Sequence, residues 1–299
     1  MASQRDVKNK IASVKNIQKI TRAMEAVAAA RLRRAEQRIA VLRPYAEAIG
    51  RMTRQAAEAA GAEAQRLPLL RAHESDTDVG LLLVTGDRGL AGGFNSQIVR
   101  AGARLSTELS EQGRRVNWYA TGRRGVSSLT FRGNELKGAY TGFSDRPAYA
   151  DARTIADDLI QAYVDGKVDR VEMIYNSYVS PLTQTVTRQT LLPLTGTAIG
   201  GDEAAASAAS ARSRGSVEYE PDPEKILRRL VPDYIEISIY RALVESAAGF
   251  FGAQMTAMRG ASDNAGEIIT EYTLQMNRAR QAEITQEIME VVAGAEGLA

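Results

Sequence analysis

The sequence predicts a mixed α+β protein: an antiparallel coiled coil of long N- and C-terminal helices, with a small α/β domain inserted between them. Three observations carry this. Apolar residues recur at steps of mostly three and four across residues 7–52 and 227–291, whereas an ordinary globular helix runs 8–20 residues. Residues 1–54 hold 13 Lys and Arg against 4 Asp and Glu, a net of +9, whereas residues 261–299 carry a net of −5. Between the ends, strand-like and helix-like segments alternate, as in a layered α/β fold.

The first helix starts from Ser3 with Asp6 three residues on, a capping-box pattern. Its expected buried stripe is Val7, Ile11, Val14, Ile17, Ile20, Met24, Val27, Leu32, Ala35, Ile39, Leu42, Ile49 and Met52. Pro44 has no N–H to offer the carbonyl of residue 40 and is expected to kink the helix. The last helix begins at Asp222-Pro223-Glu224, which supplies a cap, a proline suited to the first position and an acid in the first turn. Its stripe runs from Leu227 to Val291 and includes Phe250, Met258, Ala265, Tyr272, Ile284 and Ile288, with Pro232 as an early kink and Gly294 as the expected stop. Neither stripe can be buried alone, so the two helices are expected to pair.

In the insert, Val79–Thr85 is a continuous apolar run of the kind found in a buried parallel strand. A helix is expected over Asn95–Gln112, a strand over Arg115–Thr121 and a helix over Asp151–Asp165. Val168–Tyr178 and Thr183–Leu192, joined by Val179-Ser180-Pro181-Leu182, read as an edge hairpin. Residues 196–216 are Gly, Ala or Ser at 15 of 21 positions, the composition of a flexible loop. The expected domains are therefore 1–75, 76–195, the loop 196–216, and 217–299.

Composition narrows the chemistry. A chain of 299 residues, 44% hydrophobic and 25% charged, suits about two domains with a buried core. With no cysteine there is no disulfide, thiol nucleophile or thiolate metal site, and a single histidine leaves a multi-histidine metal site without partners. No apolar run approaches the roughly 20 residues that span a bilayer, and the polar start lacks a secretory signal's apolar region. Gly86-Asp87-Arg88-Gly89-Leu90-Ala91-Gly92-Gly93-Phe94-Asn95 follows the first strand, where a phosphate loop would sit. It lacks the Lys-Ser/Thr of a P-loop, Asp87-Arg88 fills the gap that G-x-G-x-x-G leaves open, and Asp87 would repel an anion. A tight structural turn is the expectation.

The basic stripe, with Arg31, Arg33 and Arg34 clustered, has Tyr45 as its sole aromatic, so a stacking surface for nucleic acid is missing. A solvated face or an acidic protein partner suits it better. Glu283, Glu287 and Glu290 share one helical face but read as solvated rather than as a metal site, and His73 reads as exposed. Met24 and Met258 fall at core spacing. Around Arg278–Ile288, long polar and small side chains surround most of the helix, as in one that faces solvent or contacts another protein.

Four segments carry a resemblance: Ser13–Met24; Asp87-Arg88-Gly89-Leu90 with Gly92-Gly93-Phe94-Asn95; Glu220-Pro221-Asp222-Pro223; and Asp263-Asn264-Ala265 through Asn277–Ile288. Together they resemble the gamma subunit of F-type ATP synthases, in its bacterial form, across essentially the whole chain. The resemblance implies a non-catalytic rotor without a cofactor or metal, its Rossmann-like α/β insert seated on a membrane ring of c subunits beside an epsilon subunit. The paired helices would turn inside a hexamer of alpha and beta subunits, on the cytoplasmic side of the cell membrane. It implies that Met24 lies near a lever of beta, that Arg280 and Gln281 hydrogen-bond a catch loop of beta with Thr285 one turn beyond, and that Tyr219 and Glu220 form a foot on the c-ring. Phe250, Phe251 and Gln254 stand where the family usually carries charged residues, and Ala91 where many relatives carry cysteine. The competing readings are a free-standing coiled-coil protein with a nucleotide-binding domain, and a nucleic-acid-binding helical protein.

Overall fold

The structure, a computed structural model, describes residues 4–194 and 222–296. Helix α1 spans Gln4–Ala60 and runs through Pro44, ending in a 3-10 turn at Gly61–Arg66. The insert then reads β1 (Asp78–Val84), α2 (Phe94–Glu111), β2 (Arg115–Thr121), α3 (Arg123–Phe131), β3 (Leu136–Tyr140), α4 (Tyr149–Val164), β4 (Arg170–Tyr178) and β5 (Gln184–Leu192). Helix α5, Pro223–Glu296, starts as its cap predicts: the Glu224 N–H donates to Asp222 Oδ1 at 3.2 Å. It runs through Pro232 and also through Gly294, which does not stop it. One glycine costs a helix only about 1 kcal/mol, so it ends a helix only where the flanking residues also disfavour it. Ser3 and the Gly/Ala/Ser-rich segment 196–216 lie outside the described residues.

Five strands form one sheet in the order β3-β2-β1-β4-β5, parallel except for the antiparallel β4–β5 hairpin. Central β1 is covered on both faces, and Val79, Leu81, Leu82, Leu83 and Val84 are at most 1% exposed. Leu82 and Val84 join a core with Ile155, Leu159, Met173 and Leu192. Leu83 meets α2, where Gly102 lets the helix approach: a Cβ there would lie 2.8 Å from a Leu83 methyl. Residues Leu227, Val231, Ile235, Ile239 and Leu243 of α5 enter the same core as α4 and the sheet.

By compactness the chain divides into two units, one of Met1–Ala29 with Gln254–Ala299 and one of Ala30–Ala253. Within the second, Arg31 lies 5.7 Å over the Phe251 ring, Arg38 Nη2 donates to Tyr240 Oη at 3.0 Å, and Gly50 abuts Tyr234. Numbers rising along α1 meet numbers falling along α5, so the helices are antiparallel there. Two elements, α3 and β3, have no counterpart in the expectation. Both are short, and β3 carries Gly138, whose missing Cβ makes room for the Tyr119 and Tyr140 rings.

Candidate partner-contact site

The turn after β1 is closed by its own side chains. Asn95 Oδ1 accepts from the Gly86 N–H at 2.8 Å, while its Nδ2 donates to the Arg88 carbonyl at 3.0 Å. Asp87 points inward. Its carboxylate accepts from the N–H groups of Arg123 (3.0 Å), Gly142 (3.0 Å) and Ser144 (3.1 Å), and its own N–H donates to Ser144 Oγ at 2.8 Å. Burial pushes this carboxyl up, but the Gly142 N–H, followed by Ser144 and the Arg123 N–H, outweighs it and holds the pKa below the usual range. Arg123 opens α3, so Asp87 occupies the helix N-terminus where a phosphate would bind. Sheets of this type take ligands beyond the strand ends where neighbouring crossovers diverge, here beside β1 and β4. At that point Phe250 sits against Gly86, where a Cβ would be 3.1 Å from its ring, and meets Phe94 edge-to-face at 5.7 Å. The chain fills this position itself.

In the unit of Met1–Ala29 with Gln254–Ala299 the helices are again antiparallel. Lys10 Nζ lies 5.8 Å over the Tyr272 ring, Gln18 Nε2 donates to the Ser262 carbonyl at 3.1 Å, and Arg259 Nε donates to Glu25 Oε1 at 2.8 Å. Thr21 and Ser262 share a hydroxyl–hydroxyl bond of 2.5 Å. The seam therefore follows Val7, Ile11, Val14, Gln18, Thr21, Glu25 and Ala28 at alternating steps of four and three, a heptad register. The expected stripe is corrected here. Ile17, Ile20 and Val27 are 52%, 59% and 52% exposed, and the neighbouring Gln18, Thr21 and Glu25 face α5. The Glu25–Arg259 pair runs against the expected charge sense on one side, with an acid of the basic N-terminal end bound to an arginine two residues before the acidic segment 261–299.

Met24 is half-buried beside Glu25, and Met258 is buried. Arg280, Gln281 and Thr285 are exposed; the Thr285 hydroxyl donates to the Gln281 carbonyl at 2.8 Å, within its own helix. Ile284, Ile288 and Val291 are exposed too, against expectation. The register explains this: with Lys10 level with Tyr272, the described start of α1 lies level with about residue 278, and among the described residues no stretch of α1 lies opposite the later turns of α5. Tyr219 and Glu220 lie outside the described residues. Phe250 packs edge-to-face on Phe94, and Phe251 lies under the Arg31 guanidinium in a cation–π contact. His73 is half-buried, not exposed: its ring stacks on Tyr163 at 4.3 Å and its Nδ1 lies 3.2 Å from Asp169. No three acidic or histidine side chains among the described residues are grouped to hold a metal ion. Sequence reasoning missed the polar seam and the role of Asp87; the strict four-three register counted from Val7 would have found the first.

Comparison with known proteins decides the family. The ATP synthase family profile matches residues 3–298. The chain is 42% identical to the ATP synthase gamma chain of Rubrobacter xylanophilus, covering 100% of this chain and 99% of the relative. The chain belongs to the ATP synthase gamma-chain family. The gamma chain of Moorella thermoacetica is 40% identical, with 100% of both chains covered. Among solved structures, this gamma-family chain resembles one from the Tetrahymena thermophila mitochondrial ATP synthase central stalk and c-ring, with a TM-score of 0.58 and 25% identity over 81% of this chain and 99% of that one. A Euglena gracilis mitochondrial ATP synthase chain shares the fold, with a TM-score of 0.68 and 15% identity over 99% and 94% of the two chains. No helix among the described residues is long and apolar enough to cross a membrane.

Proposed function

We infer that this gamma-family chain is the central rotor of an F-type ATP synthase, carrying torque between a proton-driven c-ring and the catalytic beta subunits. Full-length similarity to gamma chains carries this reading. The antiparallel helix pair supports it, because a coiled coil resists bending and twisting better than a single helix. In this reading the chain is non-catalytic and holds no cofactor. It touches alpha and beta through its helices and the c-ring and epsilon through the insert with the lower shaft, and reaches the membrane only through the ring, on its cytoplasmic side. The segments 1–75 and 217–299 form the shaft, with 76–195 and the loop 196–216 between them.

Coupling requires contacts that differ between conformational states of beta, since a partner shifts an equilibrium only by differential affinity. The exposed Arg280 and Gln281, with no side-chain hydrogen bond among the described residues, suit contacts of that kind; Thr285 and Met24 would also face beta, and Tyr219 and Glu220 the c-ring. Replacing Arg280 and Gln281 together with alanine is expected to weaken ATP synthesis in the assembled complex. Circular dichroism of the isolated chain should be unchanged. Undiminished synthesis by the double variant would count against the contact role.

A further inference from the structure

Within the unit Ala30–Ala253, α1, α5 and the loop before α4 border a groove of about 870 Å³. Small-ligand sites typically measure roughly 300–1,000 Å³. Its lining includes four arginines, Arg31, Arg34, Arg38 and Arg146, together with the apolar Leu42, Val244, Ala247 and Phe251. Asp145 is the one carboxylate on the lining, and it is already neutralised by Arg31 at 3.0 Å and Arg88 at 3.5 Å. Two of the arginines are held in place. Arg31 stacks over Phe251, and Arg38 donates to the Pro147 carbonyl and to Tyr240 Oη. The other two, Arg34 and Arg146, are exposed, and their side chains have no hydrogen bond or ion pair among the described residues.

This arrangement is unlike the solvated faces elsewhere on α1. Arg33, on the same helix, is exposed but does not line the groove. Here a net positive lining is shared with leucine, valine and phenylalanine, so a purely ionic ligand would leave the apolar side chains wet and a purely apolar one would leave the arginines unpaired. A planar guanidinium fork matches phosphate oxygens with two parallel bonds. We propose that the groove binds a soluble amphipathic organic phosphate, its head paired with Arg34 and Arg146 and its apolar body against Leu42, Val244 and Phe251. This site shares no residue with the exposed end of α5 and does not depend on the contacts assigned there.

Calorimetric titration of the purified full-length chain with decyl phosphate, kept below its micelle concentration, tests the proposal. A saturable one-site isotherm is expected, with inorganic phosphate binding at least about a hundredfold more weakly. Arg34→Gln and Arg146→Gln should each weaken decyl phosphate binding roughly tenfold, the loss of one charge-assisted contact. Arg33→Gln should change it less than twofold, and thermal melts should confirm that all three variants fold. Four results would overturn the idea: no saturable binding, equal affinity for inorganic phosphate, the same loss in Arg33→Gln as in the groove variants, or binding only to phosphatidylglycerol vesicles.

Discussion

Asp87 and Asp169 each gather backbone N–H groups that no strand or helix satisfies. Asp87 joins three segments by accepting from Arg123, Gly142 and Ser144. Its replacement by alanine removes all three bonds, two of them exposed to solvent and one part-buried, so a loss of about 1–2 kcal/mol in urea unfolding is expected. Asp169 ties the segment before β1 to the start of β4, accepting from the N–H groups of Thr77 and Asp78, both at 2.9 Å, and from Ser75 Oγ at 3.1 Å. Burial raises its pKa, but the Asp78 and Thr77 N–H groups, then His73 and Ser75, bring it down to about 2. A carboxyl depressed in the folded state contributes stability above its unfolded pKa of about 3.9, and that contribution fades as pH falls through the folded value. The stability difference between the native chain and Asp169→Asn should therefore shrink between pH 4 and pH 2. A constant difference across that window would refute the assignment.

The helix pair is the element where local chemistry and periodicity part company. In the seam, Thr21 and Ser262 bond to each other while buried at 8% and 3% exposure. Thr21→Val or Ser262→Ala alone should cost about 1 kcal/mol, whereas the double variant should cost less than the sum, because removing both partners leaves neither unsatisfied. Thermal or urea unfolding of the three variants measures the coupling, and strict additivity would argue against the bond. The long helices, the buried strand β1 and the β4–β5 hairpin were legible in the sequence, since each rests on a strong local pattern. The seam was not, because counting apolar residues follows Ile17 and Ile20, while the contact line is set by register from Val7, Ile11 and Ala28. A 3.6-residue turn drifts against a 3.5-residue seam, so over several turns the two diverge. Asp87 was read as repelling anions; its positive role was invisible because its donors lie 36, 55 and 57 residues downstream.

Across the whole chain, burial is uneven. Residues 235–251 of α5 are almost wholly buried, whereas every described side chain over 281–293 is exposed. Local opening follows contact density, so amide exchange in the isolated chain should be fastest near residues 281–293 and slowest near 235–251. If the rotor reading holds, assembly with alpha and beta subunits should slow exchange in the former segment. Exchange there that is unchanged by assembly would mean that this part of α5 meets no partner.

The bare end of α5 also bears on how the chain behaves before it finds company. Ile284, Ile288, Met289 and Val291 are 48–72% exposed within two turns of one helix. Apolar groups so concentrated favour self-association when nothing else covers them. Newly made copies would then be prone to clump at high concentration, and making the chain together with its neighbours should keep it in solution.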